Sequence, residues 1–97
     1  MLIARVVGLI VSTMKHETLT GSKLLIVQET DVQGNPVGKP LVAVDTVDAG
    51  EGDLVLVAQG SAARQTEMTN NRPVDHVIMA IVDTMQTHGE VTFRKEA

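Results

Sequence analysis

Residues Leu2 to Thr13 have the sequence LIARVVGLIVST, which predicts a β-strand more clearly than any other part of the chain. β-branched residues dominate it, as is typical of strands, and apolar side chains occupy both odd and even positions. A strand with one face in water alternates apolar and polar residues, so this pattern indicates a strand covered on both faces. Lys23 to Glu29, KLLIVQE, repeats the pattern and predicts a second strand of the same kind.

Turn residues and short apolar runs predict three further strands. Asp31 to Pro40 contains two Gly-X-Pro triplets, which indicate the turn of a hairpin. The next strands are predicted at Leu41 to Val44 and Leu54 to Ala58, and a last one at Val91 and Phe93. Five strands in this order are compatible with an OB-like β-barrel.

One segment has the periodicity of a helix instead. Apolar residues recur there at the spacing of a single helical face, at Val74, Val77, Ile78, Ile81, Val82 and Met85. Pro73 suits a first helical position, and His88 followed by Gly89 is a stop signal. The predicted fold is therefore mainly β, a five-stranded OB-like barrel with one α-helix.

The length and composition of the chain limit the classes of function that it can have. A chain of 97 residues is expected to form one domain, residues 1–97. Its 12 acidic residues outnumber the 8 Lys and Arg, and the net charge of −4 disfavours binding to a phosphate backbone. The chain has no cysteine and a single aromatic residue, Phe93, and no apolar run reaches the ~18 residues of a membrane span. The apolar run Val6 to Val11 is too short for a secretion signal, so a cytoplasmic location is predicted.

The residues that usually carry catalysis do not form a convincing constellation. No two of the three histidines have the i, i+4 spacing of a helical metal pair. Ser61 lacks the glycine placement of a nucleophile elbow. Gly50-Glu51-Gly52 lacks the third glycine of a nucleotide-binding loop and precedes a strand rather than a helix. We predict no enzyme activity, no catalytic residue and no cofactor.

An acidic loop separates the third and fourth predicted strands. It contains Asp45, Asp48, Glu51 and Asp53, whose spacing does not follow that of a calcium-binding EF-hand loop. We therefore predict a solvated loop without a metal ion.

The surplus of aliphatic residues on the first two strands has two explanations. One small barrel covers only the inner face of its strands, so apolar outer faces indicate a subunit interface. A helix or long loop of the same chain lying over those faces explains the composition equally well. The residue pattern alone leaves both open.

Five short motifs, in order along nearly the whole chain, resemble the EutN/CcmL family of bacterial microcompartment shell proteins. They are Gly8 to Thr13 (GLIVST), Leu19 to Val27 (LTGSKLLIV), Val42 to Leu56 (VAVDTVDAGEGDLVL), Gly60 to Arg64 (GSAAR), and Pro73 to Asp75 with Ile78 and Ile81 to Asp83. The resemblance implies an OB-like barrel that assembles into a homopentamer at the vertices of a polyhedral shell, beside hexameric shell tiles.

The resemblance also nominates site residues. The candidate pore or assembly loop comprises Asp48, Ala49, Gly50, Glu51, Gly52 and Asp53, and the candidate subunit-interface motif comprises Gly60, Ser61, Ala62, Ala63 and Arg64. Two positions depart from the family pattern, since Asp48 replaces the usual glycine and Asp53 replaces the more common glutamate. If the loop lies near a fivefold axis, five copies of Asp48 and Glu51 form a negative ring that disfavours anions.

Two other functional classes compete with a shell subunit. An OB-like module for a ligand or single-stranded nucleic acid needs aromatic platforms and a basic groove, and this chain offers one phenylalanine and net acidity. A small enzyme needs a nucleophile, a base and oxyanion donors in one place, which the motifs do not supply.

Overall fold

The structure is a computed structural model that describes residues 1–11, 23–60 and 75–95. The described residues contain seven β-strands. The strands are β1 (Leu2–Ile10), β2 (Lys23–Thr30), β3 (Pro36–Asp45), β4 (Leu54–Gln59), β5 (His76–Ile81), β6 (Thr84–Thr87) and β7 (Glu90–Arg94). Strands β1 to β5 form a closed barrel, and β6 and β7 form a separate two-stranded sheet. The predicted five-stranded barrel is confirmed.

The barrel closes in the order β1-β2-β3-β5-β4, with β4 returning to β1. Every neighbouring pair is antiparallel except β3 and β5, which run parallel over a short register that aligns Val44 with Val77. Closure removes most exposed strand edges, and in a small barrel the interior is wide enough only for side chains.

The barrel interior is filled by small aliphatic side chains. The core cluster contains Ala4, Val6, Leu25, Val27, Ala43, Ala49, Val55, Val57 and Ile78, all almost fully buried. Inward residues alternate along the strands, as in Leu25 and Val27 on β2. A narrow five-stranded interior accommodates valine and alanine more readily than aromatic rings, and the core cluster contains no ring.

The predicted helix is wrong over its described part. His76–Ile81 is strand β5 and Thr84–Thr87 is strand β6, whereas Pro73 and Val74 lie outside the described residues. Val77 and Ile78 are both completely buried because the two faces of β5 are covered. Ile78 packs into the main core, and Val77 packs on the other face with Val44, Ala58 and Leu24. Two adjacent buried residues fit a doubly covered strand as well as a helical stripe.

The fifth barrel strand is therefore β5 and not the predicted strand around Val91 and Phe93. That last segment does form a strand, β7, but it pairs with β6 outside the barrel. The connection from β5 to β6 is tied to the barrel by a hydrogen bond from the Val82 N–H to the Leu54 carbonyl (2.8 Å), and a hydrogen bond from the Lys95 N–H to the Asp83 carbonyl (2.7 Å) closes the base of the β6–β7 hairpin.

The other strand predictions are confirmed with shifted bounds. β2 and β3 form the predicted hairpin, and the Asp31 carboxylate caps its turn by accepting the backbone N–H groups of Gln33 and Asn35. These bonds lower the pKa of Asp31, with the Asn35 contribution largest. β1 ends at Ile10, so Val11 lies outside the strand, and the predicted Ser12 and Thr13 lie outside the described residues. In the ranges described, no helix has the length and hydropathy to cross a bilayer.

Candidate functional site

The loop between β3 and β4, residues 46–53, continues the hydrogen bonding of β1. The Gly52 N–H donates to the Val6 carbonyl (2.8 Å), and the Val6 N–H donates to the Asp53 carbonyl (2.9 Å). The Arg5 guanidinium donates to the Gly52 carbonyl (2.9 Å). Because β4 itself pairs with β1 only as far as Arg5, the loop takes over where that pairing ends.

Lys23 holds the first half of this loop from β2. Its Nζ donates to the Ala49 carbonyl (2.6 Å), lies 3.2 Å from Asp48 Oδ1 and lies 3.3 Å from Asp45 Oδ2. The Asp45 side chain is fully buried, so the ammonium compensates a charge that water does not reach. The hydrogen bond to Asp48, followed by the contacts with Asp45, raises the pKa of Lys23 above its ordinary value of 10.5.

Two carboxylates fix the loop from within. Asp45 Oδ1 accepts the Val47 N–H (3.0 Å), and Asp53 Oδ2 accepts the Gly50 N–H (2.8 Å). The Asp53 N–H donates to the Gly50 carbonyl (3.0 Å), which closes a tight turn with Gly52 at φ +93°. A positive φ of this size favours glycine. These hydrogen bonds fix the conformation of the loop.

Asp48 lies in the left-handed region of the backbone, with φ 59°. Only glycine adopts this region without cost, and asparagine and aspartate tolerate it better than other residues. This conformation explains why a family glycine is replaceable by aspartate here. The Asp48 side chain is 97% exposed and its single described partner is Lys23.

A groove of about 460 Å³ separates the loop from the β6–β7 hairpin. The Arg5 guanidinium lies 5.7 Å from the centre of the Phe93 ring, a cation–π contact between barrel and hairpin. Lys95 Nζ lies 3.9 Å from Asp53 Oδ1. Sequence reasoning missed this groove because its two walls come from segments far apart in the chain, and no local motif marks their meeting.

The structure brings the predicted loop residues together. Ala49 is buried, Asp53 is half-buried, and Asp48, Gly50, Glu51 and Gly52 are exposed. The predicted interface motif is described only at Gly60, which is exposed with φ 63° and donates its N–H to the Asp75 carbonyl (2.9 Å). Ser61, Ala62, Ala63 and Arg64 lie outside the described residues. Across the ranges that the structure covers, no cluster of three or more His, Cys, Asp or Glu could hold a metal ion.

Comparison with known proteins gives one consistent answer. The family described as "Ethanolamine utilisation protein EutN/carboxysome" matches residues 1–83. The shell vertex protein EutN of Salmonella typhimurium is 44% identical over 98% of this chain and 96% of its own length. A solved carboxysome subunit, CcmL, has a TM-score of 0.92 at 43% identity and covers 99% of this chain and 100% of its own.

A third relative carries an oligomeric state in its name. It is the GrpN pentameric microcompartment shell protein from Rhodospirillum rubrum, 42% identical, with a TM-score of 0.81 over 90% of this chain and 99% of its own. Sequence, barrel topology and chain length therefore agree, and the chain belongs to the EutN/CcmL family.

Proposed function

We propose that this chain is a structural subunit of a bacterial microcompartment shell and that it forms pentamers at the shell vertices. The observation that carries the proposal is full-length similarity, in sequence and in fold, to proteins named as shell vertex proteins. The pentameric GrpN relative supports a ring of five. The cytoplasmic microcompartment shell is the corresponding location.

Geometry explains why a shell needs such a subunit. A layer of flat hexameric tiles does not close into a container unless units of lower rotational symmetry interrupt it. A head-to-tail interface supplies such a unit when its rotation closes at five. Hexameric shell proteins are therefore the proposed neighbours of the pentamer, and the whole chain acts as one vertex domain.

The ordered loop from Asp48 to Asp53 is the proposed pore or assembly element. Support comes from its rigidity, since hydrogen bonds from Arg5, Val6 and Lys23 hold it against the barrel. Rigid exposed loops present charge to a neighbour or a pore without an ordering cost. The motif Gly60 to Arg64 is a second proposed contact, in which the Arg64 guanidinium binds a neighbour's carbonyl or carboxylate.

The oligomeric state tests the proposal directly. Sedimentation velocity and native mass spectrometry over a wide concentration range should give a particle of five 10.4-kDa chains. A chain that stays monomeric at every concentration contradicts the proposal. Co-expression with hexameric shell proteins should then give closed shells only when this chain is present.

The exposed carboxylates of Asp48 and Glu51 form a negative ring if the loop lines the fivefold axis. Asp48→Asn with Glu51→Gln removes those charges while keeping the side-chain shapes. Anion passage through reconstituted shells, or metal retention by the ring, should change relative to Glu90→Gln, an exposed control on the hairpin. An unchanged result in both measurements removes the pore role but leaves the shell role intact.

Catalysis is not part of the proposed function. The relatives are named as shell or shell vertex proteins, and the Asp45 and Asp53 carboxylates accept hydrogen bonds that hold the loop in its conformation. The alternative, an OB-like module for a ligand or single-stranded nucleic acid, is tested by titrating an oligonucleotide at low salt, where electrostatic binding is strongest. We expect no binding.

A further inference from the structure

The second half of β1 has an exposed edge with apolar side chains. β4 and the loop pair with β1 only as far as Val6, and within the described ranges nothing pairs with that edge beyond it. Val7, Leu9 and Val11, which we call the β1 patch, are 42%, 60% and 90% exposed. Proteins usually protect such edges with charges, proline or a covering element. An apolar free edge therefore points to a covering partner.

An apolar niche of about 270 Å³ lies beside the β1 patch. It is lined mainly by apolar groups of Gly8, Leu9, Leu25, Ala49 and Gly50, and Lys23 and Glu51 complete its lining. Leu25 and Ala49 are buried and form its floor, whereas Leu9 stands at its rim and is largely exposed. The niche has room for a side chain, and a pocket with an apolar rim is the usual receptor for an interface anchor.

A candidate anchor is presented by β5, two strands away from β1 around the barrel. The β4–β5 ladder pairs Leu56 with Ala80 and Val57 with Ile78, so Met79 is the extra residue of a β-bulge. A bulge re-aims one side chain, and Met79 is 37% exposed although its neighbours Val77 and Ile78 are completely buried. Methionine is unbranched and flexible, which suits insertion into an irregular niche.

We infer that Met79 of one copy inserts into the niche beside Leu9 of the next copy, with Val7 and Val11 packing around it. The inference rests on the proposed pentamer and names its contact surfaces. A cyclic ring needs two different, complementary patches on each subunit. The β1 patch and Met79 are both apolar and lie on different parts of the same barrel, so each copy supplies the patch to one junction and Met79 to the other.

The other exposed apolar side chains fit this role less well. In the described ranges they are Met1, Val32, Val37, Val42 and Val91. Val32 and Val37 lie near the tip of the β2–β3 hairpin, and Val91 lies on the β6–β7 hairpin. Val42 shares an outer row with Gly8 and Ile26 and so continues the β1 side of the barrel instead of opposing it.

Single charged substitutions test the two halves of the junction. Leu9→Glu and Met79→Glu should each raise the concentration at which the ring dissociates by about tenfold or more, because each buries a charge in an apolar contact. Val32→Glu is the matched control, since Val32 is 44% exposed and lies away from both halves. Sedimentation velocity measures dissociation, and far-UV circular dichroism checks that each variant is folded. Leu9→Ser and Met79→Ser replace the glutamate variants if those fail to fold.

Mixing the two variants tests whether the halves meet each other. Leu9→Glu keeps an intact Met79, and Met79→Glu keeps an intact niche, so one functional junction remains between unlike chains. Native mass spectrometry of the mixture should show a complex with one chain of each variant and no ring. A junction of like patches instead gives dimers of each variant alone.

The outcomes separate this inference from the proposed function. A wild-type chain that forms no ring contradicts the pentamer itself. A wild-type ring that survives both glutamate substitutions with the stability of Val32→Glu overturns the inference and leaves the pentamer standing. Dimers of each variant alone, or a mixture that stays monomeric, also overturn it. Cover of the β1 patch by another part of the same chain would show as lost thermal stability in Leu9→Glu with an unchanged ring.

Discussion

Ile78 is the residue whose truncation tests most directly whether β5 closes the barrel. Its side chain is completely buried in the main core cluster. Ile78→Ala removes three carbon atoms, which at about 0.8 kcal/mol for each buried methylene costs about 2.4 kcal/mol. The hole left in a closed barrel cannot collapse freely, so the total should reach about 3–5 kcal/mol. That is a large share of the ~5–15 kcal/mol that stabilises a typical domain.

A graded series makes the assay specific. Ile78→Val should cost about 0.5–1.5 kcal/mol, and Val91→Ala, at an exposed site on the separate hairpin, should stay within about 0.5 kcal/mol. Urea unfolding is followed by far-UV circular dichroism, because the chain has no Trp or Tyr to report by fluorescence. Each titration is repeated at tenfold dilution, since assembly adds a concentration-dependent contribution. If Ile78→Ala costs no more than Val91→Ala, β5 does not complete the core and the barrel topology is wrong.

Three further predictions concern the loop. Gly52→Ala should lower stability by about 1–2 kcal/mol because φ at this position is +93°. Gly50→Ala should change stability little, since the new methyl group would meet only Asp53 Oδ2, at an ordinary contact distance of 3.9 Å. Thermal melts compare the two variants. Asp48→Val should destabilise the fold because φ at this position is 59°, whereas Asp48→Asn and Asp48→Gly should be nearly neutral in the same melts. Equal losses of stability in all three variants would mean that the backbone conformation is not the cause. Because folding raises the pKa of Lys23, the contacts of its ammonium stabilise the fold below the unfolded pKa of 10.5, and this contribution is lost as pH rises through the folded pKa. The stability of the wild-type chain should therefore fall above about pH 10.5 more steeply than that of Lys23→Met. Parallel stability–pH profiles would refute the ion-pair role.

The sequence predicts the barrel because its strands carry local signals. Leu2 to Ile10 and Lys23 to Thr30 are rich in β-branched residues, and the glycine and proline residues around Gly34 indicate the hairpin turn. These signals depend on neighbours in the chain and are visible without a fold. The presence of β1 and β2 and the hairpin of β2 with β3 follow from them, whereas β3 begins at Pro36, inside the stretch predicted as the turn.

The fifth strand is mispredicted because its environment is set by distant segments. Val77 and Ile78 are both buried only because β3 and β4 flank β5 and both faces are covered. A short run covered on both faces has no alternation, so periodicity cannot distinguish it from a helix. The same limit hides the bulge at Met79, which exists only relative to its partner strand.

The loop was predicted as a site, but its construction was not. Asp45 and Asp53 look like surface charges in the sequence, yet Asp45 is buried against Lys23 and Asp53 accepts the Gly50 N–H. The partner of Asp45 lies on another strand, 22 positions earlier in the chain. Charge composition indicates an acidic loop, and only the pairing shows which acids are structural.

The β6–β7 hairpin stands apart from the barrel, and this separation makes it a replaceable module. Strands β1 to β5 close the barrel without it, and the match to the family model ends at Asp83, just before the hairpin begins. Among the described residues, Arg5 with Phe93 and Lys95 with Asp53 are contacts that join the two. We therefore expect changes in the length or charge of this hairpin to leave the fold of the barrel unchanged.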